Sequence, residues 1–238
     1  MESFILKSKE FLLDLFFPKF CFGCKKEGGY LCEDCLATIG VLESQFCPGC
    51  QKRLLDGRVC PACKKFIKLN GLYFAAPYKN NLIKKLITQF KYEPFVKELR
   101  ETLAHLIITY LELCDKKESD FSEFYLIPVP LEIKRLKWRG FNQSEEIGKE
   151  LIKFLKIPLV SDVLYKIKET PPQMKLSAEA RIENIKGAFL VKNREKIIGR
   201  KILLIDDVYT TGSTMQECAR VLKESGAKEI WGVAVARE

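Results

Sequence analysis

The stretch Ile202-Leu203-Leu204-Ile205-Asp206-Asp207-Val208-Tyr209-Thr210-Thr211-Gly212-Ser213-Thr214 is an apolar run that ends in two adjacent carboxylates and a hydroxyl-rich loop. Four consecutive aliphatic residues read as a strand buried on both faces, the pattern of a central parallel strand covered by helices. Asp206 and Asp207 then lie at the strand's carboxyl end, the edge of an open α/β sheet where ligands bind. Beyond the loop, Met215, Cys218, Ala219 and Leu222 recur at helical spacing up to a stop at Gly226, so the loop opens a helix. Unpaired N–H groups at a helix start, one permissive glycine and several hydroxyls form a cradle for a phosphate. Carboxylates repel phosphate but suit sugar hydroxyls. Together the pair and the loop describe a site for a phosphorylated ribose.

The same residues resemble the 5-phosphoribosyl-1-pyrophosphate (PRPP) signature of the type I phosphoribosyltransferases: four apolar residues, two acids, then a Thr/Gly/Ser phosphate loop. The resemblance implies Asp206 and Asp207 as the catalytic acids on the ribose hydroxyls, with Val208, Tyr209, Thr210, Thr211, Gly212, Ser213 and Thr214 binding PRPP and its 5-phosphate. Mg²⁺ would accompany the PRPP. Tyr209 departs from the pattern, where an aliphatic residue is usual.

Among 238 residues, Lys and Arg number 40 against 31 Asp and Glu, a formal net charge of +9. Such a chain favours polyanions, nucleic acid or phosphorylated metabolites, without choosing between them. Phe4, Ile5, Phe11, Leu12, Leu15 and Phe16 form an amphipathic stripe broken by Lys7, Lys9, Glu10 and Asp14. It lacks a signal peptide's uncharged core and is too short and charged to span a bilayer. Packing on a neighbouring module is favoured over an interfacial membrane anchor, because basic residues do not fill the polar face. A cytoplasmic protein is expected, with peripheral attachment to the inner membrane face as the alternative.

Eight of the ten cysteines fall in four C-x-x-C knuckles: Cys21/Cys24, Cys32/Cys35, Cys47/Cys50 and Cys60/Cys63. Two knuckles complete a tetrahedral Cys₄ shell, so two structural Zn²⁺ sites are expected, paired sequentially or cross-braced. Disulfides compete with this reading, but without a secretory signal the compartment is reducing. So short a segment has little core of its own, and metal would supply its folding free energy. Cys114 and Cys218 read as core fillers and His105 as a core or edge residue, leaving nucleophilic triad chemistry without support.

Residues 1–69 are therefore expected to hold the amphipathic helix and a double zinc ribbon, and residues 70–238 an α/β domain. Strands are expected at Leu72–Ala76 and Tyr125–Ile127, and helices at Asn81–Phe90 and Phe95–Leu113. A further helix carries Ile147, Leu151, Ile152 and Leu155, with Asn142 or Ser144 as its cap. Just after the second strand, Lys134, Arg135, Lys137 and Arg139 cluster around Trp138. Strand end, basic loop and helix start have the layout of a second anion site. By resemblance to type I phosphoribosyltransferases, the loop beginning at Pro130 would hold pyrophosphate.

The whole order of segments resembles the ComF family: tandem zinc knuckles, Pro128-Val129-Pro130-Leu131, then Arg139-Gly140-Phe141-Asn142-Gln143, then a polar stretch with Gln173, Arg181 and Asn184, then the acid pair and its loop. The fold implied is a type I phosphoribosyltransferase-like parallel sheet flanked by helices, behind a small double zinc-ribbon module. The polar stretch, Lys166 to Asn184, would be a lid. Membership implies competence, natural transformation and DNA uptake, with single-stranded DNA, PRPP or another phosphorylated ribose, and other competence proteins at the membrane as partners. The alternative is an active transferase moving 5-phosphoribose from PRPP to a nitrogenous base. Tyr73, Phe74, Tyr78, Phe90, Tyr92 and Phe95, interleaved with Lys79, Lys84, Lys85, Lys91 and Lys97, suit a single strand.

Overall fold

The computed structural model describes residues 18–41, 45–50, 52–54, 56–170 and 178–238. The amphipathic stripe at Phe4–Phe16 and the lid residue Gln173 lie outside them. Two compact units are divided after Gly40. In the first, an antiparallel bridge between Phe20 and Glu27 turns the chain at the first knuckle. Cys32 then leads into helix α1 (Glu33–Ile39), which stops where Gly40 takes a left-handed φ of 63°.

The second unit begins with the hairpin of β1 (Gln45–Phe46) and β2 (Arg53–Leu54), which carries the third knuckle. After the fourth knuckle comes β3 (Gly71–Pro77), then α2 (Asn81–Lys91) and α3 (Leu99–Leu113), a short α4 (Glu118–Phe121) and β4 (Phe124–Pro128). Next are α5 (Ile133–Arg139), α6 (Gln143–Leu155), β5 (Leu164–Lys166), α7 (Ala178–Ile185) and β6 (Phe189–Val191). The chain closes with β7 (Lys201–Tyr209), α8 (Ser213–Glu224) and β8 (Glu229–Arg237).

Four strands form a parallel sheet in the order β3-β8-β7-β4. Their near-continuous apolar runs are what burial on both faces requires. Gly71 is obligatory at the start of β3, since a Cβ there would lie 2.3 Å from the Trp231 ring. Because every pair is parallel, all carboxyl ends reach one edge, and Pro128 of β4 stands level with Ile205 of β7. The loops after β4 and β7 therefore leave side by side. Asn142 caps α6 by accepting from Ser144 N at 3.1 Å, and its Nδ2 ties the loop to Val129 O at 3.1 Å. That role falls to Asn142, which frees Ser144 for another.

β5 and β6 pair antiparallel, so the expected lid is the excursion between them. The basic segment departs from the expected loop: Ile133–Arg139 is helical, built from good helix formers and ended by Gly140 at φ 80°.

Candidate functional site

β7 carries the acids and β8 and β4 flank them. Asp206 Oδ1 accepts from Ser144 Oγ at 3.0 Å and from the Asp207 N–H at 2.9 Å. Asp207 is 8% exposed at its side chain and pairs with Lys91 Nζ at 2.8 Å. Burial, then the charge of Asp207, pushes the Asp206 carboxyl up to about 7, against the pull of Lys91. Lys91 is held charged in spite of its burial by Asp207 and Asp206, and its pKa is raised. Lys91 thus faces both carboxylates, and the raised Asp206 carboxyl keeps part of its proton near neutral pH.

Beyond the acids the loop turns into α8. Gly212 takes φ 76°, and Thr211 Oγ1 lies 3.1 Å from Ser213 Oγ. Thr211 is exposed, Thr210 and Thr214 are half-buried, and Ser213 is buried. The geometry fits the reading of hydroxyls and helix-start amides around an anion.

Tyr209 has a structural reason. Its ring is buried beneath the loop, its hydroxyl donates to Pro48 O at 3.3 Å, and Gln216 Nε2 reaches the same hydroxyl at 3.4 Å. Pro48 lies inside the Cys47/Cys50 knuckle. Arg237, at the end of β8, donates to Cys47 O at 3.0 Å and Pro48 O at 3.3 Å, with its guanidinium 5.6 Å from the Tyr209 ring centre. Gln216 Oε1 also accepts from Lys68 N at 2.6 Å. The second ribbon is thereby fixed to the Thr210–Thr214 loop by an aromatic residue where an aliphatic one would make no such bonds.

Gly212 depends on this arrangement. A Cβ on it would stand 2.1 Å from the Tyr209 hydroxyl, and its φ is left-handed. Gly212→Ala is expected to cost at least about 2 kcal/mol in urea denaturation, combining left-handed strain with overpacking, and to weaken phosphate binding. An unchanged denaturation midpoint would show that Tyr209 swings aside freely.

The cysteines settle the pairing left open by the sequence. Cys21, Cys24, Cys32 and Cys35 form one group and Cys47, Cys50, Cys60 and Cys63 another, with all sulfurs of a group within 4.8 Å of one another. Pairing is sequential. Burial opposes ionisation of Cys47, but N–H donors from Cys60, Gly49 and Cys50 outweigh it and bring the thiol down to about 6. Cys63, by contrast, is pushed up to about 12 through hydrogen bonds to Cys50 and Cys60. Such thiols can all ionise only around a cation, and both four-thiol sets fit zinc in a structural role.

The basic residues are less uniform than their clustering suggests. Lys134 pairs with Glu169, and Arg135 Nη2 donates to Thr170 O at 3.2 Å, so both are tied to the segment that follows β5. Lys137 is exposed. Arg139 stacks 5.7 Å from the Tyr92 ring centre, and its Nε is buried with no hydrogen-bond partner. Pro130 leads out of β4 toward α5. Arg181 and Asn184 lie on α7, whose exit is anchored by Gly187 N donating to Glu217 Oε1 at 2.8 Å.

Folding divides the interleaved aromatic and basic residues of Tyr73–Lys97, leaving Tyr92 42% exposed and taking others into the core or into ion pairs. Tyr73, Phe74 and Phe90 are core, while Lys91 pairs with Asp207 and Lys97 with Glu146 at 3.2 Å. Strand and helix periodicity had already committed those rings to the interior. His105 is exposed on α3, and Cys218 is fully buried as a core filler.

Among the described residues, no helix is long and apolar enough to cross a membrane. The family model "Phosphoribosyl transferase domain" matches residues 142–237, and "Double zinc ribbon domain" matches residues 12–64. Competence protein F of Haemophilus influenzae is 30% identical over 231 residues, 87% of this chain and 97% of that protein. Competence protein ComFC of Streptococcus pneumoniae is 29% identical over 217 residues, 90% of each. DNA utilization protein YhgH of Escherichia coli K12 is 36% identical over 108 residues, 44% of this chain and 47% of that one. With a relative at 30% identity aligned over nearly its whole length, and with a double zinc ribbon ahead of a phosphoribosyltransferase domain, the chain belongs to the ComF family.

Proposed function

We propose that this protein handles single-stranded DNA during DNA uptake and carries a working site for PRPP or another phosphorylated ribose. The DNA part is supported by relatives named for competence and DNA utilisation and by the net charge of +9. The ribose-phosphate part is carried by one observation: Asp206 and Asp207 are held by Ser144 and Lys91 at the base of the Thr210–Thr214 loop. Carboxylates fixed in place suit two sugar hydroxyls, and the loop suits the phosphate on the same sugar. Mg²⁺ would accompany PRPP as its counter-ion, and Asp206 and Asp207 are carboxylates that could help to hold it.

Titration of zinc-loaded protein with PRPP and Mg²⁺ tests the site. Binding by the native protein and its loss in the Asp206→Asn/Asp207→Asn double variant is the expected result. The same variant should keep its affinity for single-stranded DNA, because removing acids does not weaken a polyanion site. That affinity should fall steeply with salt. No PRPP binding by folded protein would overturn the ribose-phosphate site, and a salt-insensitive DNA affinity would overturn backbone contact.

A second reading, transfer of 5-phosphoribose to a nitrogenous base with release of pyrophosphate, is favoured by the raised Asp206 carboxyl. Two acids sharing one lysine are relieved by a positive charge forming at the sugar, the electrostatic arrangement that lowers such a barrier. Pyrophosphate release in the presence of a panel of bases would support it. Binding without release from any base would leave the site a binding site.

A further inference from the structure

We propose that the exposed face of Trp138, flanked by Tyr92 and Arg139, is a stacking platform for a base of single-stranded DNA. The platform rests on the DNA reading above and assigns a surface to it. Helix α5 is seven residues long and buries none of them, yet it includes Ile133, Leu136 and Trp138, which are 64%, 40% and 54% exposed. Its apolar residues do not serve the core.

The indole is nevertheless held in place. Phe95 packs edge-on against it at 5.0 Å between ring centres, and Tyr92, itself 42% exposed, lies 6.5 Å away. Arg139 sits 5.7 Å from the Tyr92 centre and 6.0 Å from that of Trp138. Its buried Nε has no hydrogen-bond partner, and burial lowers its pKa. A guanidinium lying against half-exposed aromatic rings suits a ligand that is both planar and anionic, which is the chemistry of a nucleotide.

Placement supports a strand. Val129 N donates to Ile205 O at 3.0 Å, so α5 leaves the sheet edge beside the acids and phosphate loop of β7. A nucleotide's phosphate and its neighbour's base can then be served from one edge. Lys137, also exposed on α5, adds a cation for the adjoining backbone. An apolar partner protein would gain nothing from the cations Arg139 and Lys137.

The chain has two tryptophans, and Trp231 is 5% exposed and stacked on Tyr73 at 5.0 Å, so quenching of fluorescence by oligo(dT) reports Trp138. The expected result is quenching on binding, a loss of affinity of about 5- to 100-fold in Trp138→Ala, and a much smaller loss in Trp138→Phe. An abasic oligonucleotide of equal length should lose a similar factor against native protein and none against Trp138→Ala. Trp138 is exposed, so circular dichroism should show the variant folded.

Native affinity in Trp138→Ala, or equal binding of abasic and normal strands, would overturn the platform and leave the DNA reading standing. Thymidine 5-phosphate binding as tightly as the strand would overturn the assignment to DNA in favour of a free nucleotide. Failure of native protein to bind any single strand would overturn both the platform and the DNA reading.

Discussion

Asp206→Asn is expected to make the protein more stable at pH 8 while abolishing binding of PRPP. In the native protein this carboxyl is pushed up to about 7 by burial and by Asp207, whereas in an unfolded chain it titrates near 3.9. Between those values the folded state holds the extra proton. The contribution to stability is therefore most favourable below about pH 4 and is lost as pH rises through about 7. Asparagine keeps an Oδ1 acceptor for Ser144 Oγ and the Asp207 N–H but removes the strained charge, leaving Lys91 and Asp207 as a balanced pair. A tenfold change in proton affinity corresponds to about 1.4 kcal/mol, so a gain of a few kcal/mol is expected at pH 8, shrinking toward zero near pH 4. Denaturant titrations of both proteins across that range check it. Asp207→Asn breaks the 2.8 Å pair instead and should gain no stability. Equal stability of the native protein and Asp206→Asn at pH 8 would mean that the Asp206 carboxylate is not strained, and would remove the electrostatic support for the transferase reading.

Cys60→Ser should damage the proposed ribose-phosphate site although Cys60 belongs to the ribbon. It costs the second Cys₄ set a ligand, and the metal supplies most of the folding free energy of so small an element. When the knuckle loosens, the carbonyls of Cys47 and Pro48 leave Arg237, a buried cation 7% exposed, without acceptors, and Tyr209 loses Pro48 beneath the phosphate loop. Stranding a buried charge is among the costlier changes, about 3 kcal/mol or more, or roughly 6–12 °C in Tm for a chain of this size. Calorimetry of zinc-loaded protein and titration with PRPP are the measurements, and both should fall together. Cys24→Ser, in the first group, removes none of these bonds and should leave the α/β transition where it is. If Cys60→Ser leaves Tm and PRPP affinity unchanged, the bonds through Tyr209 and Arg237 do not support the loop.

Sequence alone determined the strand, loop and helix at Ile202–Leu222, the parallel class of the sheet and the four C-x-x-C knuckles, because each is written in short-range spacing, while the structure grouped the knuckles into sequential Cys₄ sets. Apolar runs, helical periodicity and C-x-x-C knuckles are local signals whose meaning does not depend on distant residues. Tertiary structure alone decided which groups serve the acids. Lys91 reads as an ordinary basic residue at a helix end, Ser144 as a possible cap, and Arg237 as a charge closing an apolar strand. Their partners lie far along the chain, and only the parallel order β3-β8-β7-β4 brings Lys91 and Ser144 to Asp207 and Asp206, and Pro48 to Tyr209. The basic cluster after β4 divided for the same reason: Lys134 and Arg135 found partners at Glu169 and Thr170, whereas Arg139 kept its Nε buried and unsatisfied beside Trp138. Spacing specifies where a charge stands in its own element, but whether it is neutralised depends on what folding packs against it.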